Sequence, residues 1–190
     1  LSRGLGDVYK RQTISKSLKK NDPNHLNLGI RYGYIEQLDD ELLRISKESF
    51  DALSFNCYAL SPDHEKMNHA LEISGLPMII GEYHFGTVDR GLAQSLWQVN
   101  SQKERGDAFR YYTENAFAHR GLIGTGWFRW IDQNINGRTD GENYNCGFID
   151  VTDRPYPYMV DAAIETAKSL YEIHSGTKTP FHQTPNAVGH

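Results

Sequence analysis

Hydrophobic residues along the chain follow two alternating periods, one typical of helices and the other of buried strands. Helical spacing is found at residues 13–20, 39–50, 63–75, 103–121 and 158–176. Short apolar runs predict strands at residues 26–33, 51–60, 77–86 and 122–132. Because strands that alternate with helices over short loops are typical of parallel βαβ units, we predict an α/β fold.

Polar and aromatic residues gather at the C-terminal end of each predicted strand. They are Arg31, Tyr32, Asn56, Tyr58, Glu82, His84, Trp127, Arg129 and Asp132. In a (β/α)8 barrel these strand ends form the active face, whereas a doubly wound sheet binds its ligand at one switch point. The pattern therefore favours about four βα units, half of a (β/α)8 TIM barrel, over residues 13–176, followed by a loose tail at 177–190.

Glu82 interrupts the apolar run "PMIIGEYHFG" at residues 77–86. Burying a lone carboxylate costs several kcal/mol unless it is paired or hydrogen-bonded, so its place at a strand end favours catalysis. The alternative is a carboxylate that caps a loop or pairs with a residue such as Arg31. His84 lies on the same side of the strand, and a histidine satisfied within a loop explains it equally well.

Composition and charge limit the kinds of binding partner that we expect for the protein. The chain has 190 residues, a net charge of -4 and 38% hydrophobic residues, enough for one globular domain with a core. No basic stripe suggests nucleic acid or an anionic membrane as a partner, and no apolar run approaches the roughly 18 residues of a membrane span. Cys57 and Cys146 could form a disulfide or remain free thiols.

Two metal motifs are incomplete. Residues 132–143 begin like a calcium loop at Asp132, but position twelve is Asn143 and a strand precedes the loop. This loop is interpreted as substrate-facing, with Asp140, Glu142 and Asn143 as sugar ligands or as partners within the loop. His64 and His69 approach a zinc-helix motif, but their spacing of five turns them away from a shared face. We predict no metal and no organic cofactor.

Residues 1–12, "LSRGLGDVYKRQ", resemble the translated end of a transposon that is used to prepare sequencing libraries. We exclude them from fold reasoning as a non-native artefact. The native gene is then expected to begin further upstream, and the absence of a visible signal peptide carries no information.

Three phrases resemble a known family: "GEYHFG", "GTGWFRWIDQ" and "GRTDGENYNCGFIDVTDRPYP" are similar to the C-terminal part of β-agarases of glycoside hydrolase family fifty and of their relatives in the retaining (β/α)8-barrel clan. The resemblance implies that the four βα units are the C-terminal half of the barrel, strands 5–8, that Glu82 is the nucleophile and that Tyr58 orients it. It also implies that Trp127, or as second choice Trp130, forms the floor of the sugar site. The other predicted substrate-binding residues are His84, Arg31, Asn56 and Glu142.

A retaining glycosidase uses two carboxyl groups. In the clan, the acid/base is a Glu after an Asn at the end of the fourth strand, which we expect outside this chain. The chain alone is then expected to be inactive, and the intact protein to cleave a β-linked galactose polysaccharide or its oligosaccharides. The resemblance also implies secretion or a periplasmic location. A catalytically silent barrel relative that binds carbohydrate remains the alternative.

Overall fold

The computed structural model describes residues 3–189, with side chains from residue 9 onward. Five α-helices, one short 3-10 helix (Ile35–Gln37) and six strands are found in this range: α1 (Arg3–Asn21), β1 (Arg31–Tyr32), α2 (Asp40–Ser49), β2 (Leu53–Asn56), α3 (His64–Ser74), β3 (Met78–Tyr83), β4 (Trp97–Gln98), α4 (Gln102–Phe117), β5 (Leu122–Trp127), α5 (Pro157–His174) and β6 (Val188–Gly189). All five predicted helices and all four predicted strands are confirmed. The strands are shorter than predicted.

The chain forms two compact units. The first comprises the described residues up to Asn56, together with Asp63–Gly81 and Gly121–Gly124. The second comprises Cys57–Pro62, Glu82–Arg120 and the described residues from Thr125 onward. Both β3 and β5 therefore begin in the first unit and end in the second.

The first unit contains the start of a four-stranded sheet with the order β1-β2-β3-β5. Strands β1 and β2 pair in parallel, with Arg31 opposite Ser54. Its core is made by apolar side chains from the strands and helices, namely Leu43, Leu53, Phe55, Met67, Met78 and Ile80. Asp39 and Asp63 cap the N-termini of α2 and α3, and Gly75 ends α3 in the left-handed conformation.

The second unit is built around the packed helices α4 and α5. Ser101 starts α4 by accepting a hydrogen bond from the backbone N–H of Glu104. The rings of Tyr83 and Tyr112 stack with centroids 4.0 Å apart, so the end of β3 lies directly against α4. The Tyr83 hydroxyl also makes a 2.5 Å hydrogen bond with Oγ1 of Thr113. These contacts fix the strand that carries Glu82.

Residues of the C-terminal tail make long-range hydrogen bonds in this structure. The backbone N–H of Phe181 donates to Oε2 of the buried Glu114 at 2.8 Å, and Nδ2 of Asn115 donates to the carbonyl oxygen of Phe181 at 3.1 Å. Strand β6 then pairs antiparallel with β4. Polar composition suggested a free segment, but these partners lie far away in sequence.

Residues 3–12 of the suspected artefact lie within α1, and Leu1 and Ser2 are outside the described residues. The non-native origin of this segment stays a prediction. Within residues 3–189, no helix combines the length and the apolar character needed to cross a bilayer.

Candidate active site

Glu82 and Tyr58 meet at the C-terminal ends of neighbouring strands. The backbone N–H of Cys57 donates to the carbonyl oxygen of Glu82 at 2.9 Å, which continues the strand pairing into the second unit. The Tyr58 hydroxyl donates a 2.8 Å hydrogen bond to Oε2 of Glu82. Burial raises the pKa of Tyr58, and the Glu82 carboxylate raises it further. Tyr58 is therefore a neutral donor that holds one oxygen of Glu82.

His84 is only 2% exposed, and both of its ring nitrogens are bound within the protein. Nδ1 donates to the carbonyl oxygen of Phe128 at 2.9 Å, and Nε2 accepts from the backbone N–H of Leu96 at 3.2 Å. Burial lowers the pKa of His84 to about 4, so the ring is neutral near pH 7. Both ring nitrogens thus have backbone partners, and the role of His84 in substrate binding stays a prediction.

Trp127 and Trp130 occupy different environments. Nε1 of Trp127 donates to the carbonyl oxygen of Cys146 at 2.6 Å, and the ring packs against Tyr83 and Phe148 with centroids 5.2 Å and 5.7 Å away. Trp130 is 68% exposed and stacks on Phe148 at 5.9 Å and 18°. Trp127 is thus a partly buried, fixed wall, and Trp130 presents an open aromatic surface.

Glu142 belongs to a loop whose side chains contact one another. Its Oε2 accepts from Nε2 of Gln133 at 2.7 Å and lies 3.4 Å from Nη1 of Arg138. Arg138 also pairs with Asp140 at 2.5 Å. In this structure, Glu142 and Asp140 are therefore bound by other side chains of the same loop. A sugar that bound either carboxylate would have to compete with these contacts.

Asp132 does not have the geometry of a calcium ligand. It is buried, and its carboxylate accepts hydrogen bonds from the side chains of Asn145 and Tyr156 and from the backbone N–H of Gly147. The carboxylate is directed into the protein, which contradicts the calcium-loop alternative. In the described part of the chain, no group of three or more His, Cys, Asp and Glu side chains could hold a metal ion. His69 pairs with Asp40 at 2.8 Å, which gives it a role other than zinc binding.

The side chains of Arg31 and Asn56 both lie close to Gly81 of β3, within the first unit. A Cβ atom added to Gly81 would lie 2.3 Å from Cδ of Arg31 and 3.2 Å from Oδ1 of Asn56. Because Gly81, the residue before Glu82, has no side chain, the side chains of Arg31 and Asn56 can both lie against it. Both were predicted as substrate ligands. Cys57 and Cys146 are both free thiols.

Sequence reasoning missed Arg105, which is fully buried in α4. Its guanidinium donates to the carbonyl oxygens of Phe85 and Gly147 and to Oε1 of Gln102, at 3.0, 2.7 and 2.6 Å. Arg105 ties the extension of β3 to the segment that holds the indole of Trp127. Nothing in the helical pattern marks it, because arginine is normally a surface residue.

No family model matches the chain. A search of curated proteins finds "Beta-agarase A" of Vibrio sp. (strain JT0107), 37% identical over 166 residues, which are 84% of this chain and 16% of that protein. The chain thus spans about one sixth of the length of this relative.

Two solved structures are similar along most of the chain. "Structure of PfGH50B" describes a protein that is 36% identical, with a TM-score of 0.82, over 88% of this chain and 24% of that one. "Structural analysis of an exo-beta-agarase" describes a protein that is 33% identical, with a TM-score of 0.82, over 90% of this chain and 23% of that one. Sequence and fold agree on the same group of relatives.

Proposed function

Because this chain is related to the β-agarases of glycoside hydrolase family fifty, we propose that Glu82 is the nucleophile of a retaining glycoside hydrolase. The hydrogen bond from Tyr58 to Oε2 of Glu82 carries this proposal. It holds a carboxylate at a strand end, which is where barrel enzymes place their catalytic groups. This carboxylate would attack the anomeric carbon of the sugar.

We propose that the sheet is part of a (β/α)8 barrel, of which this chain supplies four βα units. Strands β1 and β5 are the outer strands of the sheet. Each has an outer edge whose backbone groups a further strand of a closed barrel would pair. The parallel βαβ order, with α2, α3 and α4 between the strands, supports the same architecture.

The reaction has two steps in which each carboxyl group has one role. In the first, Glu82 forms a bond to the anomeric carbon while the bond to the leaving oxygen breaks and an acid/base residue protonates that oxygen. In the second, the same residue takes a proton from water, which attacks the anomeric carbon and releases Glu82. Tyr58 keeps the Glu82 carboxylate oriented throughout by donating its hydrogen bond.

We propose that the acid/base residue lies outside these 190 residues, as the family resemblance implies, and that this chain alone does not turn over substrate. The proposed substrate of the intact protein is an agar-like polysaccharide with β-linked galactose. Trp127 and Trp130 are the proposed sugar-stacking residues, and Arg31 and Asn56 the proposed polar ligands. Action on a polymer of this size implies secretion or a periplasmic location.

The test uses a chimera in which the aligned part of this chain replaces the matching 166-residue segment of "Beta-agarase A". An activated 2-deoxy-2-fluoro-β-galactoside traps a glycosyl-enzyme when the nucleophile attacks it, because the fluorine slows the second step. Mass spectrometry should locate the added sugar on the peptide that contains Glu82. Labelling of another residue, or labelling that persists in Glu82→Gln, would refute the assignment.

Glu72→Gln is the matched control, since Glu72 is exposed on α3. It should hydrolyse agarose oligosaccharides like the parent chimera, whereas Glu82→Gln should not. If the active parent is not labelled and Glu82→Gln keeps its rate, the silent carbohydrate-binding alternative describes this segment better.

A further inference from the structure

We propose that His84 is a positioning residue that holds the Tyr58 ring in place for its hydrogen bond to Glu82. This inference rests on the function proposed above, because it gives His84 a role through Tyr58 in the same reaction. His84 follows Glu82 by two residues, and its side chain is almost fully buried. Its ring touches segments from four parts of the second unit, and each contact restricts it in a different direction.

Hydrogen bonds fix the plane and the tautomer of the imidazole. The carbonyl oxygen of Phe128 can only accept, so the proton lies on Nδ1, and the backbone N–H of Leu96 can only donate, so Nε2 is unprotonated. A histidine bound at both nitrogens cannot rotate without losing a buried hydrogen bond. Such a loss costs about 1–3 kcal/mol, so the ring is a rigid part of the site.

Contact with the fixed His84 ring restricts the orientation of the Tyr58 ring. The rings of His84 and Tyr58 meet edge to face, with centroids 4.8 Å apart and planes at 61°. Tyr144 contacts His84 in the same manner at 5.9 Å and 80°. Because a phenol turns about its side-chain bonds, a fixed ring beside it limits where its hydroxyl can point. The position of the Tyr58 hydroxyl, and through it the Glu82 carboxylate, therefore depends on His84.

The same imidazole joins two loops to the site. Phe128 directly follows Trp127, and Leu96 belongs to the segment between β3 and β4. The backbone N–H of Gly86 donates to the carbonyl oxygen of Trp97, the residue after Leu96, at 2.9 Å. A side chain that only filled space would need none of these directed bonds.

The first test uses the unaltered chain and needs no activity. Histidine labelled with ¹⁵N, observed by long-range proton–nitrogen correlation, should show a neutral ring with its proton on Nδ1 that disappears in His84→Gln, whereas the signal of His174, whose Nδ1 donates to the carbonyl oxygen of Phe117 at 2.9 Å, should remain. Tyr58→Phe should shift that resonance, because the contacting ring loses its hydroxyl. A ring protonated on Nε2, a cationic ring near pH 7, or no response to Tyr58→Phe would overturn the proposal.

The second test uses two variants of the chimera. His84→Asn keeps a donor for the Phe128 carbonyl but loses the ring, and His84→Phe keeps a ring but loses both nitrogens. Each should lower kcat about 10-fold to 100-fold, with KM changed less than about threefold, since misplacement of a catalytic group by about 1 Å costs rate on this scale. His182→Asn, at an exposed position of the tail, should leave both constants unchanged.

The two proposals fail in different ways. If Glu82 is labelled but both His84 variants keep the parental kcat, positioning by His84 is wrong and the nucleophile stands. If Glu82 is not labelled, the proposed function is wrong, whatever His84 does. A large rise in KM with unchanged kcat would also overturn positioning, because it would mean that His84 contributes to substrate binding.

Discussion

The guanidinium of Arg105 donates a 2.7 Å hydrogen bond to the carbonyl oxygen of Gly147, deep inside the second unit. The neighbouring carbonyl, that of Cys146, accepts the indole N–H of Trp127. Arg105 also binds the carbonyl oxygen of Phe85, three residues after Glu82. One buried side chain thus connects the strand of the proposed nucleophile with the segment that fixes the aromatic wall.

Replacing Arg105 by Met should lower the free energy of unfolding by about 3 kcal/mol. Three buried acceptors lose their donor, and each such loss costs about 1 kcal/mol or more. Urea denaturation followed by circular dichroism measures the change. Arg120→Met is the matched control, since Arg120 is exposed. Equal urea midpoints for both variants would show that the Arg105 network contributes no net stability.

Tyr58→Phe should slow the chimeric agarase about 10-fold to 100-fold without unfolding it. The variant removes one hydrogen bond to a charged group, worth about 1.5–3 kcal/mol, and leaves the ring in place. Steady-state hydrolysis of agarose oligosaccharides gives the rate, and thermal denaturation checks the fold. Tyr171→Phe on the exposed side of α5 serves as control. Unchanged turnover in Tyr58→Phe would remove the orienting role of Tyr58.

Helix boundaries could be predicted from local chemistry, whereas strand lengths could not. Asp39, Asp63 and Gly75 lie where a helix start or end requires them. The apolar run at 26–33 looked like a strand, yet only Arg31 and Tyr32 pair with β2. Gly29 adopts a φ of 72°, which interrupts an extended chain, and no period of hydrophobic residues reveals such a conformation.

The candidate site could likewise be predicted from the sequence only in part. The hydrogen bond between Tyr58 and Glu82 agrees with the expectation from the family resemblance. His84 and Arg105 could not be assigned from sequence, because their partners lie up to 44 and 42 residues away along the chain. Long-range hydrogen bonds leave no local pattern, so the sequence shows that a histidine or an arginine is present but not which residue it binds.

Gly86→Ala should destabilise the second unit strongly. A Cβ atom at this position would lie 2.5 Å from the carbonyl oxygen of Asn145 and 2.6 Å from that of Gln94, so backbone must move. Overpacking of this kind costs about 1–3 kcal/mol or more. Gly91→Ala is the comparison, since its Cβ meets open space and only the positive φ is penalised, by about 1 kcal/mol. Denaturant midpoints should place Gly86→Ala well below Gly91→Ala, and the reverse order would contradict the packing described for Gly86.

Only one of the two thiols should react readily in the folded chain. Cys146 is buried, and burial raises its pKa to about 12, so its reactive thiolate is scarce near pH 8. Cys57 is partly exposed. A chromogenic disulfide reagent should modify at most Cys57 before unfolding and both residues in denaturant. Cys57→Ser should abolish the native reaction, and rapid labelling of Cys146 in that variant would contradict its burial.

Acid should destabilise the folded chain through His84. Burial and, to a lesser extent, the charge of Arg105 depress the folded pKa of His84 to about 4, against an ordinary value near 6.5. Between these values the unfolded chain binds a proton that the folded chain does not, so stability is full above about pH 6.5 and falls as the pH approaches 4.

The expected loss is about 2–3 kcal/mol between about pH 7.5 and pH 4.5, since each pKa unit corresponds to about 1.4 kcal/mol. Urea denaturation at both pH values measures it, and His84→Gln supplies the reference because it lacks this titration but keeps the other ionisable groups. The parent should lose more stability on acidification than His84→Gln by the stated amount. Parallel losses would mean that His84 titrates as an exposed histidine does, which its two buried hydrogen bonds do not allow.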